Sequence, residues 1–349
     1  MSEVTETITV EQAKRPFFLG VDVGGTNIKI GLVDDNGSMI VYRSIPTEEP
    51  KGPADAFVRV KHVLAEIVST LGINQDEVKA AGLATPGTMD IPAGMLLEPH
   101  NLPHWYNFPV KQTLEDQLGI PVTFVNDANA AAFGEYWIGS GREFCSMVLL
   151  TIGTGVGGGI IVNDVLVDGE HSHGSECGHI IIDMNDDARE IPTGQKGHLE
   201  AYASGTAIIK RTAEALEVGR QSSLSARIEA GESLSPLMVS QEADQGDELS
   251  LEIVLETARY LGIGIVSLMH TIDPGAVVLG GAIDFGGHDT SLGCRFLGRI
   301  KEEVQKRAFP VPAEKTVVDF ARLGGDAGYL GAAGTARAQF HRDSQKRAQ

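Results

Sequence analysis

The strongest structural signal in this chain is the segment Phe17-Phe18-Leu19-Gly20-Val21-Asp22-Val23-Gly24-Gly25-Thr26-Asn27-Ile28-Lys29. It predicts an apolar strand that ends at an aspartate, then a glycine-rich turn and a second strand. Backbone N–H groups in such a turn point outward and can bind phosphate oxygens. The carboxylate of Asp22 stands where it can hold a hydrated magnesium ion beside those oxygens. The segment therefore predicts a phosphate-binding hairpin.

The same design recurs in the segment Met147-Val148-Leu149-Leu150-Thr151-Ile152-Gly153-Thr154-Gly155-Val156-Gly157-Gly158-Gly159-Ile160. Because glycine costs backbone entropy and a hairpin needs only one or two, we expect this turn to approach a ligand closely. Neither turn matches the G-x-x-x-x-G-K-[ST] phosphate loop. The G-x-G-x-x-G spacing from Gly153 lies between two strands and not before a helix, which excludes a Rossmann site. Two such hairpins predict a nucleotide held between two related lobes.

Length and charge limit the classes of protein to consider. A chain of 349 residues suggests two domains. The net charge of −19 argues against a nucleic-acid partner and against binding to anionic membranes. The first sixteen residues are polar, and no run of eighteen apolar residues occurs, so we expect neither a signal peptide nor a membrane span. Three scattered cysteines, Cys145, Cys177 and Cys294, fit a reducing, cytoplasmic compartment.

Strand and helix patterns alternate along the chain, which predicts the α/β class. A turn is predicted at Asp35-Asn36-Gly37. Strands are predicted at 78–84, 121–125 and 276–279. Helices are predicted at 54–71, 110–118, 128–136, 200–216, 251–272 and 327–339.

The repeated hairpin also predicts the domain boundaries. We expect a polar N-terminal tail over 1–16 and a small N-terminal lobe over 17–126. The C-terminal helix 327–340 is assigned to that small lobe. A large C-terminal lobe is expected over 127–326, and a charged, frayed tail over 341–349.

Asp127 is the candidate for acid–base chemistry. It follows a buried strand in Val125-Asn126-Asp127-Ala128-Asn129 and opens a predicted helix, where the helix dipole favours its ionised form. Capping the helix is the commonest task of such an aspartate and is the alternative here. The amides of Asn126 and Asn129 go beyond what a cap needs and suit a carboxylate that binds a hydroxyl group.

Further polar residues suit a ligand rich in hydroxyl groups. Glu176 and His179, three residues apart, are predicted to face one ligand, and Gly197-His198-Leu199-Glu200 adds a second acid and histidine. The segment from Asn101 to Trp105 offers an amide and an aromatic ring in a predicted loop. Trp105 has two interpretations, a ring that contacts the ligand or one that covers a core edge.

Six motifs in the same order resemble the ROK family of bacterial sugar kinases, and the stretch from 101 to 139 is most similar to its glucokinases. The similarity extends over about residues 16–338. It implies a two-lobed actin-like ATPase (ribonuclease H-like) fold with duplicated domains and an interlobe cleft. The motifs are Asp22-Val-Gly-Gly-Thr26, Asn101-Leu-x-x-Trp105, Asn126-Asp-Ala-Asn129, Gly153-Thr-Gly-x-Gly157, Glu176-x-Gly-His179 and Asp273-Pro274 with Leu279-Gly-Gly281.

The resemblance implies roles for individual residues. Asp127 matches the catalytic base that takes the proton of the sugar 6-hydroxyl. The sugar-binding positions are Gly87, Thr88, Asn101, Asn126, Glu176, His179 and Glu200. The positions for phosphate are Asp22, Gly24, Gly25, Thr26, Thr154 and Gly155, with Asp22 holding Mg²⁺ through water. The adenosine side is matched by Gly280 and Gly281. ATP and Mg²⁺ are the implied cofactors, and a homodimer is the implied assembly.

One motif departs from the family pattern. The family usually has C-x-C-G-x-x-G-C-x-E, whose cysteines join a histidine at a structural zinc, and this chain has Ile191, Thr193 and His198 at the cysteine positions. Because isoleucine has no donor and threonine is a poor one, we expect no zinc. A substitute site formed by Cys177, His179 and His198 is the alternative. We expect local hydrogen bonds and packing of Ile191 to hold the loop.

The resulting prediction is ATP-dependent phosphorylation of glucose to glucose 6-phosphate. Alternatives are a kinase for fructose, mannose, allose or an N-acetylated hexosamine, and polyphosphate in place of ATP. A sugar-responsive repressor is disfavoured, because only about sixteen residues precede the first strand and the charge is wrong for DNA. A non-catalytic sugar-binding module is disfavoured by the retained Asp127 and both glycine turns.

Overall fold

Two mixed five-stranded sheets form the framework, in a computed structural model that describes residues 7–99 and 101–348. The strands of the first sheet are β1 (Phe17–Val23), β2 (Asn27–Val33), β3 (Met39–Pro46), β4 (Val78–Thr85) and β7 (Val122–Asn126). A two-stranded ribbon, β5 (Thr88–Asp90) with β6 (Met95–Glu98), follows β4. The strands of the second sheet are β8 (Met147–Ile152), β9 (Val156–Val162), β10 (Val165–Leu166), β11 (Ala276–Gly281) and β12 (Val317–Phe320).

The two sheets have the same connectivity. Their strand orders are β3-β2-β1-β4-β7 and β10-β9-β8-β11-β12. In each sheet an antiparallel meander of three strands is followed by two strands parallel to its first strand. The duplication predicted from the repeated hairpins is therefore present in the topology, and the α/β class is confirmed.

Helices fill the connections between the strands. Those of the described residues are α1 (Gly52–Leu71), α2 (Val110–Leu118), α3 (Asp127–Trp137), α4 (Glu200–Ala203), α5 (Gly205–Glu217), α6 (Leu224–Glu229), α7 (Pro236–Asp244), α8 (Glu248–Ile272), α9 (Ser291–Arg307), α10 (Pro310–Lys315) and α11 (Ala327–Ala348). None of the helices in this part of the chain is both long and apolar enough to cross a membrane.

Alternation along β1 places a core on each side of the first sheet. Leu19 belongs to the core that includes α1 and α2, in which Phe57 of α1 meets Trp105 of the turn Pro103–Trp105 edge to face. Phe18 points to the opposite side and packs in a cluster with Tyr329 of α11. Trp105 is thus a core residue, fully buried, which decides between its two interpretations.

Two helices are exchanged between the halves. Helix α3 follows β7 of the first sheet but packs on the second, where Ala132 and Phe133 contact Met147 and Leu149. Helix α11 follows β12 of the second sheet but packs on the first. The two helices also pack against each other and start at the gap between the sheets.

Several predicted boundaries differ from the structure. The predicted helix 200–216 is two helices, because Ser204 interrupts it and caps α5 by accepting a hydrogen bond from Ala207 N. The prediction of a frayed tail from residue 341 is wrong, since α11 continues to Ala348 and His341 bonds Asp35 at 2.6 Å. Residues 1–6 of the predicted N-terminal tail lie outside the described residues.

Candidate active site

A cavity of about 730 Å³ lies between the two sheets, at the carboxyl ends of their parallel strands. It brings together nearly all the predicted site residues, which come from distant parts of the chain. The predicted residues that line it are Asp22, Gly24, Gly25, Gly87, Thr88, Asn101, Asn126, Asp127, Gly155, Glu176, His179, Glu200, Gly280 and Gly281. Thr26 and Thr154 are exposed and do not line it.

Asp127 lies at the first residue of α3, with its carboxylate on the cavity wall. The helix cap is Asn126, whose Oδ1 accepts hydrogen bonds from Ala128 N at 2.9 Å and Asn129 N at 3.3 Å. The capping alternative for Asp127 is therefore wrong, because the residue before it performs that task. Burial raises the pKa of Asp127 to about 6, and the nearby carboxylates of Asp22 and Glu176 add to the rise.

Asp22 lies at the end of β1, beside Lys29 on β2. Burial raises its pKa to about 6, opposed by the charge of Lys29. The start of α11 approaches it so closely that a Cβ on Gly328 would lie 2.4 Å from Asp22 Oδ2. The sequence did not predict that Lys29 and the glycines before and within α11 line the cavity beside Asp22. The only signal was Gly324-Gly325-Asp326 directly before a helix pattern.

The second glycine turn is explained by packing more than by a ligand. A Cβ on Gly155 would lie 2.3 Å from Glu200 Oε2, and one on Gly158 would lie 2.4 Å from Cys177 Sγ. Only at Gly153, among the glycines of this turn, does an added Cβ meet nothing within 4 Å. Our expectation that a ligand requires this glycine content is therefore wrong for most of these positions. Gly155 is small because Glu200 of α4 lies against it, and the glycines of β9 are small because α3 and the 177–179 turn pack against that strand.

Glu200 ties the turn to the cavity wall. Its Oε2 accepts a hydrogen bond from Val156 N at 2.8 Å, which fixes the start of β9. Glu200 also opens α4 and lines the cavity. It thus holds the second turn in place whatever ligand binds.

Three polar side chains form the rest of the wall near Asp127. Glu176 and His179 flank the 3₁₀ turn Cys177–His179, with His179 Nε2 3.9 Å from Glu176 Oε2. Asn101 lies on the opposite side, next to Gly25. Carboxylate, imidazole and amide groups together supply donors and acceptors, the pattern that a polyhydroxyl ligand requires.

The segment that carries zinc ligands in the family is held differently here. Ile191 is buried with Ala201 and Tyr202 in a small apolar cluster, as we expected from its side chain. The Tyr202 hydroxyl donates to Asp183 Oδ2 at 2.6 Å and accepts from Arg189 N at 2.9 Å. An apolar residue packed in this way supplies no donor, so the side chains present do not fit a tetrahedral zinc site.

The substitute zinc site is not formed either. Within residues 7–99 and 101–348 no group of three or more His, Cys, Asp or Glu side chains is placed to hold a metal ion. Burial raises the pKa of the Cys177 thiol to about 12. His179 and His198 do meet, with 3.0 Å between their Nδ1 atoms. Burial, and then the neighbouring His179, lower the pKa of His198.

Comparison with known proteins agrees with the fold and the motifs. The model of the ROK family matches residues 18–339. This chain belongs to the ROK family. The glucokinase of Halalkalibacterium halodurans is 33% identical over 315 residues, which cover 90% of this chain and 93% of that protein.

Solved ROK structures superimpose on most of the chain. The ROK hexokinase of Thermus thermophilus has a TM-score of 0.79 and 29% identity, covering 93% of this chain and 99% of that one. The ROK glucokinase of Streptomyces griseus, in complex with glucose and AMPPNP, has a TM-score of 0.69 and 29% identity, covering 92% and 99%. The predicted two-lobed actin-like ATPase fold is thereby confirmed.

Other expectations for this ROK protein stay predictions. They are the roles of single residues, the lobe boundaries, the magnesium ion, the cytoplasmic location and the homodimer. The cavity wall has several carboxylates and one lysine, Lys29. Asp22 fits a hydrated Mg²⁺, because among residues 7–99 and 101–348 the charge of Lys29 is the one that opposes the rise in the pKa of its carboxyl.

Proposed function

We propose that this protein transfers the γ-phosphoryl group of ATP to the 6-hydroxyl of glucose. The observation that carries the proposal is the position of Asp127, at a helix start in the cavity between two glycine turns. The glucokinases among its relatives support the choice of glucose, and the AMPPNP complex of a relative supports ATP as donor.

Asp127 acts as the general base in this proposal. One of its oxygens accepts the N–H of Ala128 at 2.8 Å, which fixes the rotation of the carboxylate. The other oxygen is then available to the sugar hydroxyl and takes its proton as the bond to phosphorus forms. A pKa of about 6 keeps this group ionised at neutral pH yet close to a useful value for proton transfer.

The two glycine turns hold the phosphates. Gly24 and Gly25 belong to the first turn, which is closed by the Gly24 N to Asn27 O bond of 2.9 Å and by Thr47 Oγ1, which donates to Gly24 O at 2.6 Å. Gly155 belongs to the second turn, fixed by Glu200. A Mg²⁺ ion held through water by Asp22 would neutralise phosphate charge in a cavity that is otherwise acidic. Since phosphoryl transfer passes through a loose transition state, positioning and charge supply most of the catalysis.

The sugar is held by the polar wall around Asp127. Asn101, Asn126, Glu176 and His179 line the same cavity as that carboxylate, which supports their assignment to the sugar hydroxyls. Such residues read hydroxyl groups by paired hydrogen bonds, and mismatched hydroxyls leave buried polar groups unpaired. This set favours a hexose over an apolar or anionic acceptor.

The test is a coupled assay for glucose 6-phosphate with purified protein, glucose, ATP and Mg²⁺. A panel of fructose, mannose, allose and N-acetylated hexosamines, and polyphosphate as donor, measures relative kcat/KM. We expect the highest kcat/KM with glucose and ATP. Asp127→Asn from the same purification excludes a contaminating kinase. A preference of tenfold or more (about 1.4 kcal/mol) for another sugar would overturn the assignment to glucose.

A further inference from the structure

We infer that His198 is a positioning residue that orients His179 of the cavity wall by a direct imidazole–imidazole hydrogen bond, in the place of a structural metal ion. The observation is the 3.0 Å contact between the two Nδ1 atoms, with the rings nearly perpendicular at 82°. His179 lines the cavity and His198 does not. The inference rests on the proposed function only for its effect on sugar binding.

The backbone brings the two histidines together. Ile181 and His198 form an isolated antiparallel bridge, and Leu199 N donates to Ile180 O at 3.0 Å. The segment after His179 and the segment before Glu200 are therefore paired side by side. His179 lines the cavity and His198 does not, so His198 contacts the Nδ1 side of the His179 ring from outside the cavity.

The contact fixes the tautomers of both rings. A neutral imidazole has one N–H and one acceptor nitrogen, so one ring donates through Nδ1 and the other accepts. The carboxylate of Glu176 lies 3.9 Å from His179 Nε2 and favours a proton on that nitrogen. His179 Nδ1 is then the acceptor, and His198 Nδ1 is the donor.

The consequence for the cavity is a defined hydrogen-bond donor. His179 presents Nε2–H toward the ligand, where it can donate to a sugar hydroxyl oxygen. Without the partner at Nδ1, the ring is free to change tautomer and to rotate, and its donor is lost for part of the time. A metal bound at an imidazole nitrogen fixes the tautomer in the same way.

Side-chain packing and hydrogen bonds tie the loop that carries His198 to neighbouring segments. Ile191 packs beside Tyr202, which bridges Asp183 and the backbone of Arg189. The guanidinium of Arg189 in turn pairs with Glu214 on α5, where Arg189 Nη1 donates to Glu214 Oε1 at 3.0 Å. Among these residues Ile191 holds a position that is a cysteine in the family pattern, and we expect the contacts to order residues 183–198 without zinc.

The first test reads the tautomer without any substrate. Two-dimensional ¹H–¹⁵N spectra of ¹⁵N-histidine-labelled protein separate protonated from unprotonated ring nitrogens, and His179→Asn assigns the signals. We expect wild-type His179 to carry its proton on Nε2, and His198→Leu to give a mixture of tautomers. Either of two results would overturn the inference whether or not glucose is the substrate. One is a wild-type His179 that carries its proton on Nδ1, and the other is that the His179 signals of His198→Leu are unchanged from wild type.

The second test measures sugar binding. His198→Leu is expected to raise the KM for the sugar about fivefold with little change in the KM for ATP, the effect of losing one hydrogen bond. His198→Asn keeps an N–H near the Nδ1 position and is expected to recover most of the loss. His62→Leu, on the exposed side of α1, is the control. Equal losses in the leucine and asparagine variants would contradict a positioning role.

The third test concerns metal content. We expect purified protein to contain far less than one zinc per chain, and zinc-selective chelation in Mg²⁺ buffer to leave both the His179 tautomer and the thermal midpoint unchanged. One zinc per chain, with loss of the tautomer on chelation, would show that a metal and not His198 orients His179.

Discussion

The two halves of this protein share one framework and differ in what they place at its edge. β1 and β8 hold equivalent positions in the two sheets, and each leads into a glycine turn. Two residues before the first glycine of the turn stands Asp22 in the first half and Thr151 in the second. α3 begins with Asp127 and its counterpart α11 begins with Ala327. Asp22 and Asp127 thus have no acidic counterparts at the equivalent positions of the second half, and the second half's acids at the cavity come from other segments.

The glycine turns differ in the same way. The first is a short turn closed by Asn27 and Thr47. The second is glycine-rich because β9 lies against α3 and the 177–179 turn, which leave no space for side chains. The comparison indicates that the glycines of the second turn reflect close packing, while the first turn is preceded by Asp22, the acid that we propose to hold magnesium through water.

Removing the acid at the start of α3 should have the largest effect on activity, because it leaves both α3 and its counterpart α11 without a carboxylate at their first residue. Asp127→Asn is expected to lower kcat by about 10²–10⁴-fold, because a positioned general base is lost. ATP binding, measured by calorimetry, should change little. The matched control is Asp164→Asn at the turn between β9 and β10, where φ is 67° and asparagine is well tolerated. Turnover close to wild type in Asp127→Asn would reject the proposed base.

Changing the acid at the end of β1 tests the other difference. Asp22→Asn is expected to lower kcat by about 10–100-fold and to raise the Mg²⁺ concentration needed for half-maximal rate, since Asp22 is assigned to the metal's water shell. Thr151→Val, the counterpart change in the second half, should leave the Mg²⁺ dependence unaltered. A Mg²⁺ titration of both variants measures the concentration for half-maximal rate. Equal shifts of that concentration in the two variants would contradict the assignment of magnesium to Asp22 alone.

Two glycines of the second turn separate packing from ligand contact. Gly158→Ala places a Cβ 2.4 Å from Cys177 Sγ and is expected to destabilise the protein by about 1–3 kcal/mol. Gly153→Ala meets no atom within 4 Å and should leave stability within about 0.5 kcal/mol while weakening nucleotide binding. Denaturant unfolding and the KM for ATP measure the two effects. A destabilised Gly153→Ala would show that this glycine, too, is required by packing.

The raised pKa of Asp127 predicts a smaller, pH-dependent effect. Because its folded-state pKa of about 6 lies above the ordinary 3.8, folding favours the protonated form. Stability therefore falls as the pH rises from about 4 to about 6, and the full cost of the ionised carboxylate is present above that. Asp127→Asn should therefore be more stable than wild type by about 1–2 kcal/mol near pH 7.5, a value reduced for solvent in the cleft. The difference should shrink to about 0.5 kcal/mol or less near pH 4, where the folded carboxyl is protonated and the unfolded one is only about half ionised.

Unfolding at both pH values measures this effect. An equal gain at pH 4 and pH 7.5 would mean that Asn fits the site better for reasons other than charge. The cost of the ionised carboxylate is expected because burial disfavours its charge, and the carboxylate of Asp22 in the same cleft adds to that cost.

Short sequence patterns predicted the strands and turns that depend mainly on residues close together in the chain. Apolar runs on either side of a glycine-rich turn predicted β1, β2, β8 and β9, and the Asn36-Gly37 signal predicted a turn where Gly37 has a φ of 87°. Nearly every candidate site residue lies at one cavity, because the motifs sit at strand ends that parallel sheets bring to one edge. Short elements such as β5, β6 and β12 were missed, since their few residues carry too weak a pattern.

The sequence by itself determined that two strand–glycine–strand units exist, that acids follow the first set of strands, and that Ile191 stands where a zinc ligand is usual. Only the tertiary structure decided that α3 and α11 exchange halves, that Lys29 and Gly328 border Asp22, and that His198 meets His179. These features depend on contacts between residues far apart in the chain. No periodicity or spacing encodes such contacts, because they arise only when two separately folded surfaces pack.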